Sequence, residues 1–156
     1  MTVEDNRKEY DKFLQTVKDM KKKPYVATGI LGTGKVSADF GVVQYATANE
    51  FGTLENGGFT PERSFIRSTI DEKRGEYESF VEKMKIKILT GKESVAKGLG
   101  LLGLTIQKDI QKKITDLSDP PNAPSTIKKK GSSNPLIDTG RMRQSVSFKV
   151  FPKGDK

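Results

Sequence analysis

The sequence predicts an α+β chain, on three observations. Apolar residues recur at three-to-four spacing through two long central stretches, the signature of amphipathic helices. Near the C-terminus Val146, Phe148 and Val150 alternate with Ser147 and Lys149, the period-2 pattern of a half-buried strand. Nearer the N-terminus, Tyr25–Leu31 (YVATGIL) is a short strand-like run that needs a partner.

In chain order, residues 4–23 place Tyr10, Phe13, Leu14, Val17 and Met20 at helical spacing and end in Lys21, Lys22 and Lys23. Cations in a last turn suit the negative end of the helix dipole, so the lysine run has a local explanation. Pro24 stops this helix. Tyr25–Leu31 and Lys35–Val43 flank Gly32-Thr33-Gly34 and read together as a β-hairpin. The same segment contains GILGTGK (Gly29–Lys35), a near-match to a phosphate-binding loop. That loop needs Ser or Thr next and a helix starting there, whereas Val36 and a strand-like run follow. The hairpin is the better reading.

Val42–Phe51 reads as a short helix stopped by Gly52, followed by a Thr53–Thr60 loop containing Gly57-Gly58. Pro61 is expected at the first position of a helix. From Phe65, a stripe through Ile66, Ile70, Tyr77, Phe80, Val81, Met84 and Ile88 predicts a long helix ending near Gly91 and broken only by Gly75. A second long helix, Glu93–Leu117, carries Val95, Leu99, Leu102, Ile106, Ile110, Ile114 and Leu117 on one stripe. Gly98, Gly100 and Gly103 lie inside it, each costing about 1 kcal/mol against alanine. Ala96, Gly100 and Gly103 share a face, which predicts a tight helix crossing within or between subunits. Ser118–Ser133 (SDPPNAPSTIKKKGSS) has three prolines and Lys128-Lys129-Lys130. It reads as an extended loop or arm that orders on a partner. In Asn134–Val150, Pro135 holds the chain extended, Asp138 is expected to N-cap a short helical turn bearing Arg141, Met142 and Arg143, and the last strand follows. The organisation expected is an N-terminal amphipathic helix or arm over residues 1–23, then one α+β domain over 24–156 that includes the 118–133 loop.

The 156 residues are 33% hydrophobic and 31% charged, so the core is modest. Absence of cysteine and histidine excludes Cys/His zinc sites, disulfides, thiol nucleophiles and Ser–His or Cys–His dyads. The acidic neighbours Asp71 with Glu72 and Glu76 with Glu78 sit on a charged helix, not in a convergent pocket. No enzyme activity, cofactor or metal is expected. The net charge is +8 with pI near 9.6, which favours polyanionic neighbours. Residues 118–156 hold eight Lys/Arg against three Asp, more than half of that excess. No apolar run approaches the ~18 residues of a membrane span and no secretory signal is visible, so a soluble intracellular product is expected.

Three segments, Val42–Thr53 (VVQYATANEFGT), Thr60–Glu72 (TPERSFIRSTIDE) and Ser125–Val150 (STIKKKGSSNPLIDTGRMRQSVSFKV), together resemble a family of tailed-bacteriophage neck, tail-completion or virion-morphogenesis proteins. These are head–tail connector components. The glycine-rich helix Gly98–Ile110 also fits, and the resemblance covers about 110 residues from Tyr25 to Val150 in the expected order. It implies a small twisted antiparallel sheet packed against two long helices, with an N-terminal helix and a long basic loop before the last strand. It implies a structural ring, sixfold in many members, that completes the tail and joins it to the head around the DNA conduit. The implied partners are other copies of the chain, neighbouring neck, connector and tail proteins, and genomic DNA in the lumen, with no membrane. The implied location is the virion neck, with host cytoplasm during assembly.

On this resemblance, Glu50, Phe51, Arg63, Phe65, Arg67, Gly100, Gly103, Leu136, Asp138 and Arg141 are assembly or interface candidates. Arg63 and Arg67 are the two expected to pair with carboxylates across a subunit boundary. Lys128, Lys129 and Lys130 are the DNA-facing candidates. The competing reading, from charge alone, is a basic nucleic-acid-binding protein without sequence specificity. Few aromatics and no recognisable reading motif weigh against it.

Overall fold

The computed structural model describes residues 3–31, 40–53 and 59–153. Among these the order is α1 (Val3–Lys21), β1 (Tyr25–Gly29), α2 (Phe40–Phe51), α3 (Arg67–Leu89), α4 (Val95–Asp116), α5 (Pro124–Lys130), α6 (Arg141–Ser145) and β2 (Ser147–Phe151). The fold is α+β, with β1 and β2 forming a two-stranded antiparallel sheet. No described helix is long and apolar enough to cross a membrane. The chain gathers into two compact units. One comprises Met1–Ala27, Lys73–Thr105 and Phe148–Lys156; the other comprises Thr28–Glu72 and Ile106–Ser147.

In the first unit, Tyr25 at the start of β1 stacks on Phe151 at the end of β2, ring centroids 4.7 Å apart and nearly coplanar. This cross-strand aromatic pair fixes the antiparallel register. The strands pack on α4 at Gly103, where an added Cβ would come within 2.6 Å of the Phe148 ring and 2.7 Å of Val26. Further along, Gly98 lets Met84 and Ile88 of α3 close on α4, with Met84 2.8 Å from the position of an added Cβ. Tyr77, Met84 and Ile88 are buried here. The helix α1 stops at Lys22-Lys23, whose second residue takes a left-handed φ of 53° just before Pro24.

The second unit holds the larger core, built from Ala46, Phe65, Ile110, Ile114, Leu136, Met142 and Val146. Phe65, Ile110 and Ile114 are fully buried, the last two one helical turn apart on the α4 stripe. Gly52 ends α2 with φ of 70°, and a side chain there would also meet Thr60 O and Glu62 N at 3.1 Å. Beyond it Thr53 and Thr60 exchange backbone hydrogen bonds at 2.9 and 3.2 Å, closing the connection between them.

Several expectations need correction. The turn Gly32-Thr33-Gly34 and residues 35–39 of the expected second strand lie outside the described residues, as does the interior of the Thr53–Thr60 loop. The last part of that strand, Phe40–Val43, is instead the first turn of α2. Val42 and Ala46 are four apart and pack on the same core, so helical spacing prevails over the β-branched run. The partner of β1 is β2. Pro61 does not open a helix: α3 begins at Arg67 and continues through Gly75 without a break. Ser118–Ser133 is not wholly extended, because it contains α5, with Pro124 at its start and Gly131 at φ 69° as its C-cap. Asp138 is not the N-cap of α6. Gly140 holds that position at φ 77°, and no side chain caps the helix.

Candidate functional site

The second unit joins parts of the segments Val42–Thr53, Thr60–Glu72 and Ser125–Val150 through a set of buried polar contacts. At its centre is Glu50, in the last turn of α2 and only 4% exposed. The first N–H groups of any α-helix have no partner within the helix. The approach to α3 and its first residue point theirs at this carboxylate: Phe65 N and Ile66 N, just before the helix, donate to Oε2 at 2.8 and 2.9 Å, and Arg67 N donates to Oε1 at 2.9 Å. Ser64 Oγ adds a fourth donor at 2.8 Å and Arg67 Nε a fifth at 3.1 Å. Burial alone pushes the Glu50 carboxyl pKa up, but the Ile66, Arg67 and Phe65 amides together hold it below the usual carboxylate value. An anion at the positive end of α3 is also favoured by the helix dipole.

Arg67 continues the lock on the outside. Its Nη2 donates to Glu50 O at 2.7 Å and to Glu62 Oε1 at 2.8 Å, and its guanidinium lies 4.5 Å from the centre of the exposed Phe51 ring. Arg63 is buried and donates to Pro120 O at 2.8 Å, Pro121 O at 3.0 Å and Asn49 Oδ1 at 3.3 Å. The planar fork of arginine suits two adjacent carbonyls, a geometry lysine does not reproduce. Asn49 is fixed in turn, donating to Tyr45 O at 2.9 Å.

The Asn134–Val150 segment docks by the same means. Asn134 Oδ1 accepts Leu136 N and Ile137 N, both at 2.9 Å, and its amide donates to Thr115 O near the end of α4 at 2.8 Å. This side-chain turn drives Leu136 into the core. Gln107 and Gln111 of α4 donate to Val146 O and Arg143 O at 2.8 and 3.2 Å, holding the exit from α6. Lys130 donates to Asn134 O and Pro135 O, both at 3.3 Å, and burial lowers its pKa.

The expected site residues therefore fall into distinct groups. Glu50, Phe65, Arg63 and Leu136 are interior framework. Within the chain, Arg63 pairs with two proline carbonyls and Asn49, and the half-exposed Arg67 pairs with Glu50 and Glu62. The expected close approach at Ala96, Gly100 and Gly103 is also revised. Gly98 and Gly103 accept side chains of their own chain, while nothing comes within 4 Å of an added Cβ at Gly100. Asp138 and Arg141 line a cleft of about 410 Å³ with Tyr45 and Lys130. Lys128 and Lys129 are exposed, whereas Lys130 is turned inward and drops out of the DNA-facing set. Asn49, Ser64 and Asn134 were missed. For Asn134 a signal existed, since Asn before Pro in a turn offers its side chain to the backbone two residues on.

Of the acidic neighbours, Glu72 is paired with Lys113 at 2.6 Å and Glu76 with Lys73 at 3.6 Å. Among the described residues no group of three His, Cys, Asp or Glu side chains is arranged to hold a metal. Comparison with known proteins finds no matching family model, curated protein or solved structure.

Proposed function

We propose that this chain is a structural subunit of a tailed-phage virion, forming a ring at the neck or head-proximal end of the tail. In that position it completes the tail and joins it to the head around the DNA conduit. The observation that carries this reading is the interlock of the three segments on which the sequence resemblance rests. Val42–Thr53 supplies Glu50, Thr60–Glu72 supplies the amides and the Arg63 fork, and Ser125–Val150 supplies Leu136, Met142 and Val146 to the same core. Their polar groups are used in holding the fold, as expected of a building block. The mechanism is geometric: each subunit repeats one heterologous contact until rotation closes the ring.

The test is to delete the gene in the phage that encodes the chain. The expected result is filled heads and tails that accumulate unjoined, with the protein present at the neck of wild-type particles by labelled-antibody electron microscopy. Normal, infectious particles without the chain would overturn the reading.

A further inference from the structure

A cleft of about 640 Å³ opens in the second unit between α2 and the chain at Pro120–Pro124, within the roughly 300–1,000 Å³ range of ligand sites. Tyr45, Phe59 and Pro121 give it apolar walls, and Arg63 and Lys130 bring two cations to it. No described aspartate or glutamate lines it. Both cations are held by neutral groups. Arg63, only 6% exposed, donates from Nε, Nη1 and Nη2 to Pro120 O, Asn49 Oδ1 and Pro121 O. Lys130 donates to Asn134 O and Pro135 O. A guanidinium has five N–H donors and an ammonium three, so each cation keeps donor capacity beyond these bonds. Among the described residues neither side chain forms an ion pair.

The two cations also repel. Burial and then the Arg63 charge push the Lys130 pKa down, opposed by Asp138, which lines the neighbouring 410 Å³ cleft and not this one. A cation taken out of water without a counter-charge is costly, and one anion shared by two of them relieves both. We infer that this cleft takes an acidic side chain from an extended segment of a partner protein. Its carboxylate is shared by Arg63 and Lys130, and its flanking residues lie against Tyr45 and Phe59. A protein segment fits better than a nucleic-acid backbone. Arg63 lies below the surface, where a single side chain reaches and a ridge of duplex phosphates does not, and the walls beside it are aromatic and proline. Arginine and tyrosine in a desolvated pocket are also the residues that dominate binding at protein interfaces. The inference goes beyond the ring reading and does not depend on it, since the acidic segment is recognised by the single chain.

The test titrates the isotope-labelled full chain with the peptide acetyl-Ala-Pro-Glu-Pro-Ala-amide, with its Gln counterpart and with inorganic phosphate, following the Arg63 Nε–H resonance by NMR. The Glu peptide should shift that resonance saturably, with a Kd about tenfold below those of the Gln peptide and of phosphate. Lys130→Met should weaken the Glu peptide about tenfold. Phe59→Ala, at a side chain 74% exposed, should weaken it about threefold, and it decides the matter should Lys130→Met fail to fold. Equal Kd values for the Glu and Gln peptides, or no saturable shift, would overturn the inference. Phosphate binding as tightly as the Glu peptide would reduce the cleft to a free-anion site, and displacement of the peptide by duplex DNA would assign it to nucleic acid. Either outcome overturns the protein partner. Glu55→Gln should leave the Kd of the Glu peptide unchanged. A tightening of about tenfold would give the cleft to that acid of the same chain and overturn the partner as well.

Discussion

Protonating Glu50 would remove the acceptor that five donors share, so this one carboxyl couples stability to pH. Its folded pKa lies below its usual value of 4.5. Its stabilisation is therefore complete above the unfolded value and is lost as pH falls through the folded one. Wild-type stability should decline with acid below about pH 4.5, and Glu50→Gln should flatten that part of the profile in chemical denaturation. At neutral pH the substitution should cost about 1–3 kcal/mol, since a Gln amide turns a donor toward backbone donors. An unchanged acid limb would show that the α3 amides do not depend on this side chain. The sequence marked Glu50 as important through its place in Glu-Phe-Gly-Thr, but not what it does. Its partners are fourteen to seventeen residues away, beyond any local capping pattern. Asp138 shows the converse: it is a residue type suited to N-capping, yet Gly140, in the left-handed conformation, holds that position.

At the scale of elements, the two long helices were legible because their stripes persist over five or more turns. Two short stretches were not. In Phe40–Val43 four residues satisfy strand and helix patterns equally, and burial of Val42 with Ala46 decides between them. The α5 helix was hidden by the prolines and lysines around it, although Pro124 and Gly131 are its start and stop signals. The glycines of α4 were legible as a group, but their individual orientation required the neighbours. That orientation gives opposite expectations for two substitutions. Gly103→Ala drives a methyl to within 2.6 Å of the Phe148 ring and should destabilise by about 1–3 kcal/mol. Gly100→Ala meets open space and should stabilise by about 1 kcal/mol through reduced unfolded-state entropy and better helix propensity. Thermal unfolding of both variants checks the assignment, and equal shifts in either direction would refute the packing of β1 and β2 on Gly103.

For the whole molecule, charge divides by compact unit rather than by stretch of sequence. The C-terminal quarter stands out in the sequence, yet its lysines and arginines are shared between the units. Grouped by contacts, the Thr28–Glu72 and Ile106–Ser147 unit has eleven Lys/Arg against ten Asp/Glu. Nearly all of the excess belongs to the other unit, seventeen Lys/Arg against ten Asp/Glu, with no motif that reads bases. A surface of this kind holds a polyanion by counterion release and not by base reading, so affinity for duplex DNA should be weak and steeply salt-dependent. The isolated chain should bind at a Kd above about 1 μM at physiological salt, in the non-specific range. Replacing Lys83 and Lys87, both exposed on α3, by alanine should lower the slope of log K against log salt by about 2. Lys130→Ala should leave that slope unchanged, because its ammonium already donates to Asn134 and Pro135. Submicromolar binding by the monomeric chain in a salt titration would make nucleic-acid binding the primary activity and displace the structural reading. An intact slope in the Lys83→Ala/Lys87→Ala variant would show that this face of α3 does not carry the DNA-facing charge.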